Sequence, residues 1–248
     1  MNKQQKHVIA FATAFALMFG IVPNVAAMHI MEGYLPAGYC VAWGVLCLPF
    51  LAAGFFSIKK TLIEHRNLIT LLAMSGAFVF VISSLKIPSV TGSCSHMTGT
   101  GLGAILFGPS AVSILGIIVL LFQAILLAHG GLTTIGANTF SMAIAGPFVT
   151  FAIYKVCQKC KVNKMVAIFL SATLGDLFTY CVTAVQMALA HHADTTILNA
   201  MGKFLLVFAP TQVPLAIIEG ILTVLIIMAL ETYAKPELRA IGFMKEAK

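Results

Sequence analysis

Long apolar runs alternate with short polar connections along most of the chain, and these runs predict its architecture. A membrane-spanning helix needs about 20 mostly apolar residues. Runs of this kind cover approximately residues 38–57, 68–85, 102–128, 137–154, 165–190 and 210–231. The pattern therefore predicts an all-α, polytopic helix bundle.

The basic residues predict one further crossing and the orientation of the bundle. Lysine and arginine concentrate in cytoplasmic loops. Six spans would place the lysines of residues 155–164 and the basic tail outside. Dividing the run of residues 102–128 at Gly108-Pro109, into a short helix ending at Phe107 and a full span, places both groups inside. We therefore predict about seven transmembrane helices, with the mature N-terminus outside and the C-terminus in the cytoplasm.

Composition supports a membrane protein and argues against a nucleic-acid-binding one. The 248 residues are 60% hydrophobic and 9% charged, with a mean hydropathy of +0.99, whereas soluble domains carry about 25% charged residues. The formal charge of +7 comes from basic residues beside apolar runs, where they set orientation. We predict a multi-pass protein of the cell membrane, in contact with the lipid bilayer and with no nucleic-acid partner.

The first run has the three parts of a secretory signal peptide. Lys3 and Lys6 precede an apolar stretch of residues 8–22, and the small residues Ala26 and Ala27 end the segment. We predict that residues 1–27 are removed, leaving residues 28–248 as a single transmembrane metal-binding domain.

Cleavage after Ala27 would create a specific metal-binding group. The free amine of Met28, the amide nitrogen of His29 and Nδ1 of its imidazole can close two fused chelate rings around one ion. Cobalt, nickel and copper ions suit such nitrogen donors. The competing interpretation is an incidental Met-His dipeptide before a helix.

His96 is the candidate fourth ligand. It lies in a loop rich in glycine, serine and threonine, on the same predicted side as Met28. The short helix that follows is tolerated at membrane depth only if protein buries it or if it lines a cavity. The loop should therefore face the bundle interior. The competing interpretation is a loop histidine hydrogen-bonded to backbone.

Other polar residues lie in or beside the apolar spans. We take Gln123, Asn138 and Glu32 as candidates for groups that support the ligands, with hydrogen bonding between helices as the alternative role. Asp176 should pair across helices. Gln186 and Glu219 belong to the same class of intramembrane polar residues, and the His129-Gly130-Gly131 turn has a weaker claim beside the site.

Several segments together resemble the CbiM family. They are Met28-His-Ile-Met-Glu-Gly33, residues 84–96 ending in Gly-Ser-Cys-Ser-His96, Gly103-Ala-Ile-Leu-Phe-Gly-Pro109, residues 128–138 beginning Ala-His-Gly-Gly, Gly175-Asp-Leu-Phe-Thr-Tyr180 and Phe208-Ala-Pro-Thr-Gln-Val-Pro214. The resemblance covers essentially the whole mature chain.

The resemblance implies the substrate-specificity component of a cobalt transporter of the energy-coupling-factor type, which supplies cobalamin synthesis. It implies three partners: a small accessory membrane subunit, a transmembrane coupling subunit and a cytoplasmic ATPase. It also implies metal ligation by Met28, His29 and His96, with seven crossings. The chain departs from the family where Met97 replaces a frequent proline, which puts the rigidity of the loop in question.

We expect a non-catalytic capture subunit with no cofactor, whose transported substrate is Co²⁺. The sequence has no phosphate-binding loop motif, so ATP hydrolysis should occur in a partner. The first alternative is a nickel-specific component of the same transporter type. The others are an intramembrane metal-dependent enzyme, for which the loop offers Ser93, Cys94 and Ser95, and a polytopic channel with no amino-terminal cleavage.

Overall fold

The computed structural model describes residues 29–88, 94–192 and 195–244. Met28 and the predicted signal peptide, residues 1–27, lie outside the described residues. The elements in chain order are α1 (Ala37–Glu64), α2 (Leu68–Ser84), β1 (Ile87–Pro88), β2 (Cys94–Ser95), α3 (Thr100–Phe107), α4 (Pro109–Leu127), α5 (Ile135–Asn138), the π-helical turn π1 (Thr139–Ala145), α6 (Gly146–Lys159), α7 (Lys164–Ala190), α8 (Ile197–Tyr233) and α9 (Lys235–Ala240).

The fold is an all-α bundle, and most predicted spans coincide with observed helices. Within the described ranges, five helical segments are long and apolar enough to cross a membrane: α1, α4, the continuous segment Ile135–Lys159, α7 and α8. The apolar helix α2 has 17 residues and α3 has eight. The count of seven crossings and the orientation of the termini stay predictions.

The last span begins much earlier than the sequence predicted. We placed its start at Pro210, but α8 begins at Ile197, where the Thr196 hydroxyl accepts a hydrogen bond from the amide of Asn199. Pro210 and Pro214 both lie inside the helix. Proline is tolerated inside a membrane helix because neighbouring helices and side chains satisfy the freed backbone groups.

The predicted break at Gly108-Pro109 is confirmed. Gly108 has φ +84°, a conformation that favours glycine, and it separates α3 from α4. Eight helical residues rise only about 12 Å, so α3 alone cannot cross a bilayer. Residues 95–106 are all buried, which confirms that the part of the loop that carries His96 faces the bundle interior.

The loop preceding α3 is less irregular than predicted. Its two ends pair as short antiparallel strands, with Ile87 opposite Ser95 and Pro88 opposite Cys94. This pairing leads the chain back towards the bundle, so that the residues after Ser95 enter the interior.

Helix α7 packs against both α6 and α8, and these three helices surround α3 together with α4 and α2. The largest apolar cluster lies at one end of α3, where Leu102, Ile105 and Leu106 meet Ile227 of α8 and Leu238 of α9. In a second cluster, Ile30 and Leu35 pack against side chains of α7 and α8. The first described residues are therefore anchored in the bundle.

Candidate metal centre

Three histidines from three distant parts of the chain meet in the bundle. His29 precedes α1, His96 precedes α3 and His129 follows α4. One nitrogen from each ring lies within 4.8 Å of the nitrogens of the other two. The rings of His29 and His96 stack with centroids 4.4 Å apart, and Nδ1 of His29 lies 3.0 Å from Nε2 of His129. Imidazole nitrogens at this separation can share one metal ion.

Burial keeps the three imidazoles neutral, as metal ligation requires. Each histidine is at most 2% exposed. The loss of hydration on burial lowers the pKa of all three, to about 4 for His96, although a hydrogen bond to the Met97 carbonyl partly opposes the change there. Neutral rings keep a lone pair for a cation. One nitrogen of each ring lacks a hydrogen-bond partner: Nε2 of His29, Nε2 of His96 and Nδ1 of His129.

We call residues 29–36 the N-terminal strap. Its backbone is hydrogen-bonded to the segment that follows α4, and these bonds hold His29 in place. The amide of Ile30 donates to Oδ1 of Asn138 at 2.8 Å, and Nδ2 of Asn138 donates to the Ile30 carbonyl at 3.0 Å. The Thr134 hydroxyl donates to the same carbonyl at 2.6 Å. Asn138 thus pairs with the strap as a neighbouring β-strand would, one residue from His29.

Glu32 extends this attachment. Its carboxylate accepts from the amide of Thr133 at 3.2 Å and from the Thr133 hydroxyl. These bonds lower the pKa of Glu32, because they stabilise its charged form. Farther along the strap, the carbonyl of Tyr34 is 2.9 Å from Nε2 of His191. The strap is therefore fixed along its length.

The N-terminal strap contacts the turn that follows α4 so closely that there is no room for a side chain at Gly131. A Cβ at this position would lie 2.6 Å from the Cα of Glu32 and 2.7 Å from its amide nitrogen. Because both are backbone atoms, a rotamer change cannot relieve the clash. The glycine is required for the close approach of the two segments.

We expect Gly131→Ala to destabilise the protein by about 1–3 kcal/mol, the usual cost of forcing extra volume into a packed site. Thermal unfolding in detergent measures this change. Gly38→Ala is the matched control, since a Cβ at Gly38 meets nothing within 4 Å. Equal unfolding temperatures for the two variants would contradict the tight contact at Gly131.

The structure places only some of the predicted site residues together. His29 and His96 are in contact, whereas Met28 lies outside the described residues. Asn138 and Glu32 hold the strap. The side chain of Gln123 instead donates to Ser83 Oγ at 2.7 Å and to the Phe80 carbonyl of α2, and its Oε1 has no partner.

His129 lies closer to His29 and His96 than we predicted from the sequence. It was expected only near the site, yet its ring contacts both other histidines. The backbone carbonyl of Gln123 accepts from the His129 amide at 3.1 Å, and Ala128 has φ +46°. This sharp turn at the end of α4 brings the ring back over the bundle. The available signal was a histidine beside two glycines on the same predicted side as His29 and His96.

The interhelical pairing expected for Asp176 is confirmed. Its Oδ2 accepts from Nε2 of Gln212, on α8, at 2.6 Å. Gln186 likewise bonds across helices, donating to the Ala137 carbonyl at 3.0 Å.

An intramembrane enzyme would need a nucleophile beside a histidine. Ser95 is the only one of the three loop candidates whose side chain is described, and its hydroxyl lies 2.7 Å from the Thr211 hydroxyl rather than against an imidazole. The described residues therefore offer imidazole donors for a cation, without a serine–histidine pair in this loop.

A polytopic helix bundle that encloses neutral, converging imidazoles defines a membrane protein able to bind a transition metal. The profile of the CbiM family, described as "Cobalt uptake substrate-specific transmembrane region", matches residues 29–238. The chain belongs to the CbiM family and is a multi-pass protein of the cell membrane.

Individual relatives agree with this membership. The chain is 72% identical to a protein of Lachnoclostridium phytofermentans named "Cobalt transport protein CbiM", over 98% of both chains. It is 51% identical to a protein of the same name from Nostoc, over 98% of this chain and 94% of that one. A crystal structure of a truncated transition metal transporter superposes with a TM-score of 0.74 at 27% identity, covering 83% of this chain and 99% of the other.

Proposed function

We propose that this protein is the substrate-binding membrane component of an ATP-driven Co²⁺ uptake transporter that supplies cobalamin biosynthesis. The observation that carries the proposal is the convergence of His29, His96 and His129 in a buried cluster, where one nitrogen of each ring lies within 4.8 Å of those of the other two. The relatives named as cobalt transport proteins support Co²⁺ as the transported ion. The protein itself is a non-catalytic capture subunit without a resident cofactor.

The ligand set consists of the Met28 amine, the His29 amide and imidazole, and the His96 imidazole. Removal of residues 1–27 creates the amine. The rings of His29 and His96 already stack against each other, so donor nitrogens from the two residues lie close together before an ion binds. An ion held by Nδ1 of His29 would replace the present hydrogen bond between that atom and His129. His129 therefore positions the His29 ring before the metal arrives.

Transport requires partners. The chain carries no phosphate-binding loop, so a cytoplasmic ATPase would supply the energy, through a transmembrane coupling subunit and with a small accessory membrane subunit. The ion is captured at the outer face, in a bundle that crosses the membrane about seven times.

Two measurements on the purified, mature protein test the proposal. Intact-mass spectrometry should find Met28 as the first residue, and metal analysis after incubation with CoCl₂ should find about one Co²⁺ per chain for a single site. A purified protein that still begins at Met1, or a mature protein that retains no cobalt, would contradict the proposed capture site.

The donor chemistry favours nickel as a second candidate cargo. An all-nitrogen set suits Ni²⁺ at least as well as Co²⁺, because affinity rises from cobalt to nickel in the first transition series. We therefore expect the isolated protein to bind both ions.

Competition during uptake separates the two cargoes. In cells that carry the complete transporter, excess unlabelled CoCl₂ should suppress radioactive cobalt uptake more strongly than the same concentration of NiCl₂. A cobalt-specific system requires that order, because the whole transporter must distinguish ions that one donor set binds similarly. Stronger suppression by NiCl₂ would assign the transporter to nickel.

A further inference from the structure

Two buried carboxyl groups lie directly behind the loop that carries His96. Asp176 on α7 and Glu219 on α8, which we call the acid pair, are each 1% exposed. The described salt bridges are Lys60–Glu64 and Lys164–Glu231, so neither member of the pair has a cationic partner within the described ranges. Ionisable groups inside a membrane bundle are costly to bury, which makes a functional role the first hypothesis to test.

Glu219 holds the backbone after His96. Its Oε2 accepts from the amide of Thr98 at 2.6 Å, and its Oε1 accepts from the Thr98 hydroxyl at 2.9 Å. A carboxylate can accept both bonds at once with its two oxygens, whereas an amide side chain has only one acceptor oxygen. The two oxygens of Glu219 therefore hold Thr98 at its backbone amide and at its hydroxyl.

Asp176 holds the backbone at His96 itself, acting through Gln212. Nε2 of Gln212 donates to the His96 carbonyl at 3.2 Å and to Oδ2 of Asp176 at 2.6 Å. The aspartate thus orients the amide group of Gln212, and the amide group fixes the carbonyl.

The attachments at the His96 carbonyl and the Thr98 amide fix the backbone on both sides of the carbonyl that orients the imidazole. Nδ1 of His96 lies 2.9 Å from the carbonyl of Met97, which sits between the fixed His96 carbonyl and the fixed Thr98 amide. With Nδ1 bound to this carbonyl, Nε2 is the nitrogen left for the cluster, and it has no other partner. The orientation of the ligand nitrogen therefore depends on groups located on α7 and α8.

We propose that Asp176 and Glu219 are positioning residues for the metal site, which act through Gln212 and Thr98 to fix the ring of His96. This inference rests on the proposed function, because it assumes that His96 is a ligand. It assigns to α7 and α8 a role in binding the ion although neither helix supplies a ligand.

The test compares Co²⁺ binding by purified, mature variants, using both affinity and the visible absorption spectrum of bound Co²⁺. We expect Glu219→Ala to weaken binding about 10- to 100-fold, the usual cost of removing a group that orients a metal ligand. The absorption bands should also shift, since they report the geometry of the donors and a merely stabilising residue would leave them unchanged. Glu231→Ala, an acid on the same helix that pairs with Lys164, should change neither.

The variants also separate this inference from the proposed function. Loss of binding in His96→Ala, together with wild-type affinity and spectrum in Glu219→Ala, would overturn the positioning role alone. Wild-type binding by His96→Ala would overturn the proposed ligand set instead.

A second pair of variants decides the question if Glu219→Ala does not yield folded protein. Thr98→Val removes the hydroxyl that donates to Glu219 at nearly constant volume, and Thr98→Ser keeps it. We expect weaker binding and a shifted spectrum for Thr98→Val only. Identical behaviour of these two variants would overturn the proposal.

Discussion

Replacing His96 with alanine should abolish Co²⁺ binding while leaving the protein folded. In the proposed ligand set, His96 supplies the one imidazole that comes from outside the N-terminal chelate, and its Nε2 has no hydrogen-bond partner. Changes in groups that merely orient a ligand cost about 10- to 100-fold in metal affinity, so removing the ligand itself should cost more than about 100-fold. Equilibrium dialysis or calorimetric titration with CoCl₂ measures the loss.

Two further variants make the His96 result interpretable. His65→Ala removes an exposed histidine that follows α1 and does not belong to the cluster, so this variant should bind Co²⁺ like the wild type. His96→Gln fills much of the volume of the ring and serves if the alanine variant fails to fold, because size-exclusion chromatography would reveal that failure. Wild-type affinity in a folded His96→Ala or His96→Gln variant would remove this residue from the site.

Two extra residues in front of Met28 should be nearly as damaging, whereas a single one would place His29 third in the chain, where the amine, two amide nitrogens and the imidazole form a new chelate. Two glycines inserted between Ala27 and Met28 leave every side chain of the mature protein unchanged but move the free amine two residues away from Met28. The nitrogen of Met28 then belongs to a peptide bond, so the fused chelate rings proposed above no longer form. We expect an affinity loss of about 100-fold or more, since the change removes a ligand rather than an orienting group.

The matched control for the insertion is Met28→Leu. It keeps the amine and the spacing to His29 and changes only an apolar side chain, so its cobalt affinity should equal that of the wild type. Intact-mass spectrometry must show the intended first residue in each preparation. Equal affinities for the glycine-extended and the wild-type proteins would show that the amine is not a ligand.

The replacement of a frequent family proline by Met97 raised a question about the rigidity of the His96 loop. In the structure residues 95–99 of this loop are buried, and their backbone is hydrogen-bonded to α8 on both sides of Met97, through Gln212 and Glu219. Tertiary hydrogen bonds therefore restrict the loop where the chain itself does not.

The same contrast appears in the helices. The break at Gly108-Pro109 was predictable, because the local conformation of glycine and the missing amide of proline both oppose a continuous helix. The start of α8 was not, because Pro210 reads as a helix start in the sequence and lies in the interior of a helix in the bundle. Whether neighbouring groups compensate a proline is decided by tertiary contacts.

The sequence by itself determined the membrane class, most of the helices and the pairing of His29 with His96, because apolar run lengths, basic flanks and donor spacing are local properties of the chain. Only the tertiary structure decided that His129 joins the cluster, that Gln123 bonds to α2, and that Asp176 and Glu219 stand behind His96. These facts depend on which faces of helices that are distant in sequence pack together, and the spacing of residues along the chain does not reveal that packing.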